Sequence, residues 1–313
     1  MKILKPELVV DISKWDYEIN TKELEDGGVK AVIVRMGSNQ NLDPNFIKHA
    51  ENISKSTLIL MAYHWDDIIY SAENQATWAV KTIKSLGYPV KFLWGDLEQY
   101  WINWSLKTPG NPDTISSHMK RYSETMKSLY PNFGIYTGKG FTDSWCPKSS
   151  EWIGAYNIWH AQWGIPLPTK DMEWKELKQK WLPNYDLSLS TGVNPLIVSG
   201  HQFTGDRVRM RGIYNQYGIW LRTDVSVFNQ DFLKYINTGD IPIPPTPIPP
   251  TPTTKEYMVT SYKLNVRPTP DTSGTPIKVL NYGDRIQVIN ITGGWAALAS
   301  GGYVVTTYIK LVT

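Results

Sequence analysis

From Leu8 to Leu97, short apolar runs of strand length alternate with stretches of helical period, and this alternation limits the chain to a few folds. LVVDI (8–12), KAVIVRM (30–36), TLILMAYHW (57–65) and the run ending at Asp96 read as buried strands. After the second, Asp43 is expected to cap, and Pro44 to open, a helix with Phe46, Ala50 and Ile53 on one face. After the third, Ala72, Ala76, Ala79, Val80, Ile83 and Leu86 repeat the pattern. A further helix is expected from Asp113 as N-cap through Ile115, Met119, Tyr122, Met126 and Leu129, until Pro131 stops it. Beyond Pro131 the rhythm loosens. FGIYT (133–137), YNIWHAQW (156–163), LIVSGHQF (196–203) and GIWLRTDVSVF (218–228) read as strands with few convincing helices between them. Eight strands in this order favour an α/β fold, a TIM-like (β/α) barrel with an irregular second half, whose chemistry would gather at the C-terminal ends of the strands.

At Asp240 the composition changes abruptly to IPIPPTPIPPTPTT, in which IPPTP occurs twice. Such a stretch favours polyproline II and would span roughly 40 Å as a semi-rigid spacer. The expected organisation is therefore residues 1–239 as one unit, 240–254 as a Pro/Thr-rich linker, and 255–313 as a small all-β barrel of five or so short strands. Tight turns such as Tyr282-Gly283-Asp284, Gly293-Gly294 and Gly301-Gly302 punctuate that last unit.

In KFLWGDLEQYW (91–101) an apolar strand ends in two acids. Residues two apart on an extended backbone share a face, which puts Asp96 and Glu98 roughly 6.5 to 7 Å apart at their Cα atoms. Like charges held that close shift one another, and one would keep its proton at neutral pH. Cleavage of a glycosidic bond asks for that division between acid and anion. Trp94, Tyr100, Trp101 and Trp104 surround the pair, and aromatic faces receive the C–H faces of sugars. An Asp-x-Glu at a strand end is also a common solvated loop feature. A closed barrel separates the two cases, because it would bring Asp11 from the first strand and Asp224 from the last to the same mouth.

Composition removes several other classes. Net charge is +3 and charged residues make up 19% without clustering, so no nucleic-acid surface is expected. The single Cys146 allows no intramolecular disulfide, and His49, His64, His118, His160 and His201 show no metal-ligand spacing. Neither metal nor cofactor is expected. The N-terminal apolar stretch is too short for a signal peptide and contains Pro6 and Glu7, and no run approaches membrane-spanning length. A protein made in the cytoplasm and reaching its target only after release is the expectation.

Residues 8 to about 235 resemble the family 25 glycoside hydrolases, lysozyme-type muramidases found in phage endolysins and bacterial autolysins. The resemblance is carried, in order, by VVDISKW (9–15), DPNF (43–46), AYHW (62–65), GDLE (95–98), GIYTG (134–138), HQFTG (201–205) and TDVSVF (223–228). His201 stands where that family more often has Trp before the Gln. The C-terminal unit resembles a bacterial SH3-like domain through LNVRPTPD (264–271), PIKVLNYGDRIQV (276–288), GGWAAL (293–298) and GYVVTTYIK (302–310).

The resemblance implies an N-acetylmuramidase, of the phage endolysin kind, that cleaves the β-1,4 bond between N-acetylmuramic acid and N-acetylglucosamine. Peptidoglycan would be the partner of both units. By the same resemblance Glu98 is the general acid, its pKa raised by nearby carboxylates. Asp96 stays ionised and assists participation of the substrate's own 2-acetamido group, while Asp11 and Asp224 bind hydroxyls or tune the pair. Inversion by a water held on Asp96 is the competing route. Tyr63, Trp65, Tyr136, Trp163 and Gln202 are the candidate substrate-binding residues, and His64 and His160 are expected to be hydrogen-bonded structural histidines. The alternatives are a non-catalytic wall-binding protein and a chitinase-type barrel hydrolase.

Overall fold

The computed structural model describes residues 2–184, 186–238, 255–273, 275–298 and 302–312. The chain divides into two compact units, Met1–Thr246 and Pro247–Thr313. The spacer expected over 240–254 lies outside the described residues.

The first unit is mixed α/β with an eight-stranded, barrel-like core. Its strands are β1 (Pro6–Ile12), β2 (Val29–Ser38), β3 (Ile59–Trp65), β4 (Phe92–Asp96), β5 (Phe133–Gly138), β6 (Asn157–Ala161), β7 (Val198–Tyr214) and β8 (Trp220–Asn229). From β1 to β7 each strand pairs in parallel with the next. β8 then runs antiparallel to both β7 and β1, which closes the ring. That reversal departs from a uniform (β/α) repeat, and so do the crossovers of the second half. Between β5 and β7 the helices shrink to seven residues each, α5 (Lys139–Trp145) and α6 (Trp174–Lys180), with 3-10 turns beside them.

Closure makes alternate side chains point into the lumen. Val9, Ala31, Ile33, Met61, Phe92, Trp94, Trp159 and Phe228 form one buried cluster there. Their neighbours Leu8, Val10, Val32, Val34, Leu60, Ala62 and Leu93 belong to a second cluster, which packs the outer face against helices. Trp94 sits at the centre of the lumen, its ring centroid 4.6 Å from Phe92, 5.9 Å from Trp159 and 5.8 Å from Phe228. It is fully buried and has no face for a sugar, contrary to the sequence expectation.

The outer helices are α1 (Thr21–Gly27), α2 (Phe46–Ser54), α3 (Ala72–Leu86) and α4 (Pro112–Leu129). Asn111 caps α4, accepting from the Asp113 and Thr114 amides, with Pro112 in the first turn. Asp113 is therefore a first-turn acid and not the expected cap, since the Asn side chain reaches the free amides from one position outside the helix. Gly95 lets α4 lie close against the barrel. A Cβ there would stand 2.8 Å from Tyr122 and 2.9 Å from Phe133.

A seventh helix, α7 (Gln230–Thr238), follows β8 directly and was not legible in the sequence. It plugs the end of the lumen where the parallel strands begin, inserting Phe232, Leu233 and Ile236 into the inner cluster. Phe232 contacts Phe92 at 5.1 Å and Phe228 at 6.0 Å between centroids.

Within the described residues the second unit has seven strands rather than five: β9 (Lys255–Val259), β10 (Lys263–Val266), β11 (Lys278–Asn281), β12 (Arg285–Thr292), β13 (Trp295–Leu298), β14 (Tyr303–Val305) and β15 (Ile309–Leu311). Five of them form one antiparallel sheet in the order β14-β13-β12-β9-β15, and β10 and β11 form a separate hairpin. A small core of Val259, Leu264, Val266, Leu280, Ile286, Val288, Ala296, Leu298 and Val304 joins them. The additional strands are short and their alternation runs together in sequence.

Phe232→Ala empties the plug and should destabilise the barrel unit by about 3 kcal/mol, in the range for deleting a buried ring. Calorimetry should show its Tm falling by several degrees; an unchanged Tm would mean that α7 does not close the core.

Candidate active site

The inward rows of the barrel that begin apolar end polar at the mouth. On β1 the row runs from Val9 to Asp11, on β2 from Ala31 and Ile33 to Arg35, on β3 from Met61 to Tyr63, on β4 from Phe92 and Trp94 to Asp96. Ladder register then lines these residues up across strands. Asp11 pairs with Asp224, Arg35 with Tyr63, Trp65 with Asp96, and Asp96 with Tyr136.

Two adjoining cavities open there and share Trp15, Arg35 and Tyr63. The first, of about 420 Å³, is lined by Asp96 and Glu98 together with Trp65 and Lys14. The second, of about 490 Å³, is lined by Asp11 and Asp224 with Trp220, Arg209 and Arg222. All four carboxylates named from the sequence thus lie at one end of the barrel, divided between two lobes of one depression. Tyr63 and Trp65 line it as well. Trp65 stands 5.8 Å from the exposed Trp104, centroid to centroid.

Tyr136, Gln202 and Trp163 line neither lobe, and instead form a hydrogen-bonded row leading to Asp11. Tyr136 Oη donates to Gln202 Oε1 at 2.8 Å and Trp163 Nε1 donates to the same oxygen at 3.1 Å. Gln202 Nε2 in turn donates to both carboxylate oxygens of Asp11, at 3.0 and 3.2 Å. Gln202 therefore orients Asp11. Tyr136 is buried against Trp159 at 4.4 Å, whereas Trp163 is 62% exposed. His201, beside Gln202, bonds the Gln162 carbonyl at 2.8 Å and is buried.

Burial sets the electrostatics of the acid pair. Asp96 is buried, and its Oδ1 meets no hydrogen-bond partner among the described residues. Burial pushes its carboxyl well above the usual range; the charges of Glu98 and Asp11 add to the rise, and Arg35 opposes it. Glu98 keeps surface of its own, yet it stands in the bowl of the mouth, and loss of water around it pushes its carboxyl up too. One expectation changes: desolvation, more than neighbouring charge, raises Glu98. At Asp96 no donor compensates the burial of Oδ1.

Sequence reasoning missed Arg35 and Trp15, and misjudged the task of Asp43. Arg35 donates through Nε to Asp43 Oδ2 at 2.7 Å, and Asp43 is nearly inaccessible. Asp43 also accepts from the Lys14 and Asn45 amides, so it braces the β1–α2 approach and does not cap α2, whose N-cap is Asn45 without a side-chain bond. Period-two alternation along β2 could have found Arg35, since it follows Ala31 and Ile33 on the inward face. Trp15 is 73% exposed at the junction of the lobes, with Lys14 Nζ 4.7 Å from its ring centroid.

Of the two structural histidines, His64 bonds Tyr122 and the Asn39 carbonyl, both at 2.9 Å, and burial pushes its pKa down to about 4. His160 is buried too, but its ring nitrogens meet no partner among the described residues. No group of three or more His, Cys, Asp or Glu with a metal-holding arrangement occurs among the described residues.

A carboxyl whose pKa is raised on folding binds its proton more tightly in the native state, so stability declines as pH climbs from the unfolded carboxyl pKa, about 4, toward the native one. Asp96→Asn removes that penalty. The variant should melt a few degrees above the parent at neutral pH, roughly 1 kcal/mol or more of stabilisation, and the gain should vanish below about pH 4. Melting curves across pH check this; a gain independent of pH would reject the electrostatic cause.

The model of the family described as Glycosyl hydrolases family 25 matches residues 10–182. No curated protein matches the chain. Among solved structures, the modular autolysin LytC of Streptococcus pneumoniae, in complex with a synthetic peptidoglycan ligand, is 21% identical with a TM-score of 0.53. That match covers 73% of this chain and 48% of the autolysin, so the chain spans about half the autolysin's length. The bacterial lysozyme of Streptomyces coelicolor is 16% identical, with 76% of this chain and 100% of the lysozyme covered and a TM-score of 0.57. The catalytic domain of endolysin ply40, from bacteriophage P40 of Listeria monocytogenes, is 20% identical with 75% and 98% covered and a TM-score of 0.52. At these identities the structures share the fold. The family match spans 173 of 313 residues, counted from 10 to 182, and includes Asp11, Asp96 and Glu98: the chain belongs to family 25 of the glycosyl hydrolases.

Proposed function

We propose that this chain is a peptidoglycan hydrolase, an N-acetylmuramidase that cuts the β-1,4 bond after N-acetylmuramic acid. The observation that carries this reading is the placement of Asp96 and Glu98 on one cavity of a barrel mouth, both with raised proton affinity. A carboxyl that keeps its proton near neutrality can protonate a leaving glycosidic oxygen. Glu98 is the general acid, because it is the member of the pair that stands free in the depression. The exposed ring of Trp15 and the half-buried rings of Tyr63 and Trp65 supply faces for the sugar rings.

Burial raises the proton affinity of both carboxyls in the free protein. A donated hydrogen bond from the 2-acetamido N–H favours the Asp96 anion and moves the shared proton toward Glu98. The acetamido carbonyl oxygen then attacks the anomeric carbon as Glu98 protonates the leaving oxygen, and Asp96 offsets the positive charge that develops. Asp11, held by Gln202, and Asp224 line the adjoining lobe and position sugar hydroxyls.

The barrel is assigned to a TIM-like class with an irregular second half, and the unit after the spacer to the SH3-like domains. The small antiparallel core of that unit supports the second assignment. Its task is to hold the enzyme on the wall, and a tether raises the local concentration of the barrel at the glycan. Release of the protein to the wall, as by a phage or autolytic system, completes the reading. Among the described residues no helix is long and apolar enough to cross a membrane.

Glu98→Gln should reduce release of new reducing ends from purified peptidoglycan by about 100-fold or more, the usual contribution of a general acid, while wall binding persists. Hydrolysis untouched by that change would reject the assignment, and mass spectrometry of the products identifies the sugar at the new end. Deleting residues 255–313 should weaken retention on walls far more than turnover of soluble fragments; undiminished retention would refute the tether.

A further inference from the structure

Beneath the acid pair, outside both lobes of the mouth, lies a buried polar cluster for which neither sequence nor family gives a task. β3 leaves the ring at Trp65, and one residue later the Asp66 amide donates to the Asp96 carbonyl at 3.1 Å. The Asp66 side chain is fully buried, with Oδ1 3.0 Å from Nε2 of His118 on α4. The same nitrogen lies 3.4 Å from Gln75 Nε2 on α3. A carboxylate only accepts, so in the shorter contact His118 Nε2 donates to Asp66, and the longer contact with the Gln75 NH₂ group, also a donor, is then not a hydrogen bond.

Gln75 also grips the next residue, accepting from the Asp67 amide and donating to the Asp67 carbonyl, both at 3.0 Å. The Asp67 carboxylate accepts from the Ile69 amide at 3.1 Å and faces Gln99 Nε2 at 3.5 Å. Gln99 closes the loop by donating to the Trp101 carbonyl at 2.7 Å. The segment that carries Asp96 and Glu98 is thus tied at both ends to residues 66 and 67, and these are tied to two outer helices.

We propose that the buried Asp66–His118 pair is a positioning element for the reaction, which holds the Asp96–Gln99 segment in register and sets a negative charge behind the acid pair. Neither residue lines the mouth, so both act through Asp96. The groups facing Asp66 are Asp67 beside it, Asp96 across the ladder, and His118, Arg121 and Tyr122 from α4, with the buried Cys146 thiol beyond. Asp66 Oδ2 meets no hydrogen-bond partner among the described residues, so His118 is what sustains its anion. Burial pushes the Asp66 carboxyl up and His118 opposes that rise; the Asp66 anion in turn adds to the rise at Asp96.

This proposal rests on the muramidase reading, and its test separates the two. In the full-length chain, reducing-end release from peptidoglycan is followed from about pH 4 to about pH 8, for the parent and for Asp66→Asn, alongside Tm. Losing a negative charge behind the pair lowers its proton affinity, so the alkaline limb of the profile should move to lower pH by about half a unit. kcat should fall roughly tenfold while KM changes less than about twofold, since substrate contacts are intact. His118→Gln should move the limb in the same direction, because Asp66 without its imidazole takes up a proton. It carries the test alone if Asp66→Asn does not fold. Limbs that stay at the parent position, whatever the Tm, reduce the pair to packing and overturn the proposal. A parent that releases no reducing ends instead removes the reading beneath it.

Discussion

Every polar feature of the mouth depends on closure of an eight-stranded ring, which turns each second residue inward. The lumen is filled by Trp94, Trp159, Phe92 and Phe228, and below the rim Ser226 is polar only because its hydroxyl accepts from Trp159 Nε1. At the rim the inward positions include Asp11, Arg35, Tyr63 and Asp96, and they come together whether or not they attract one another. Two acids that repel are held side by side because the aromatic core and the ladders around them are rigid. The burial that raises their proton affinity costs stability at neutral pH.

Compensation for that arrangement is distributed around the rim. Arg35 is the nearest cation, and its Nε is already committed to the buried Asp43, so it moderates the Asp96 carboxyl without neutralising it. Gln202 holds Asp11 by both oxygens and is itself held by Tyr136 and Trp163. These are neutral donors at fixed angles. They orient carboxylates without adding charge to the depression. Behind the Asp96–Gln99 segment, Asp66, His118, Gln75 and Gln99 form a second set of ties to α3 and α4. That segment is thereby clamped between a groove-facing layer and a buried one.

The reversal of β8 serves the same end. Running antiparallel to β1, it sets Asp224 directly across from Asp11, and it leads at once into α7, whose Phe232 and Leu233 seal the opposite end of the lumen. One strand thereby supplies a carboxylate to the mouth and delivers the plug to the base. The thin crossovers of the second half are compatible with this, since the outer face from β5 to β7 is covered by short helices and 3-10 turns with large side chains such as Trp152, Tyr156 and Trp174.

The sequence alone determined the eight strands, their order, the Asp96 and Glu98 pair at the fourth strand end, and the abrupt change of composition at Asp240. Each of these is written in local alternation, helical period or composition, which need no knowledge of distant partners. It left undetermined which aromatic residues face sugar and which are core: Trp94 and Trp15 look alike in a sequence, and only closure makes one a lumen plug and the other an exposed ring. α7 was missed because a nine-residue amphipathic helix just before a proline-rich stretch has little signal of its own. Tertiary structure likewise decided that Asp43 would grip Arg35, that Gln202 would hold Asp11 across 191 positions, and that Asp96 would be buried with no donor to its Oδ1. The physical reason is common to all three. Burial, and the presence or absence of a donor at a given carboxylate, are properties of the packed chain, set by residues far away in sequence.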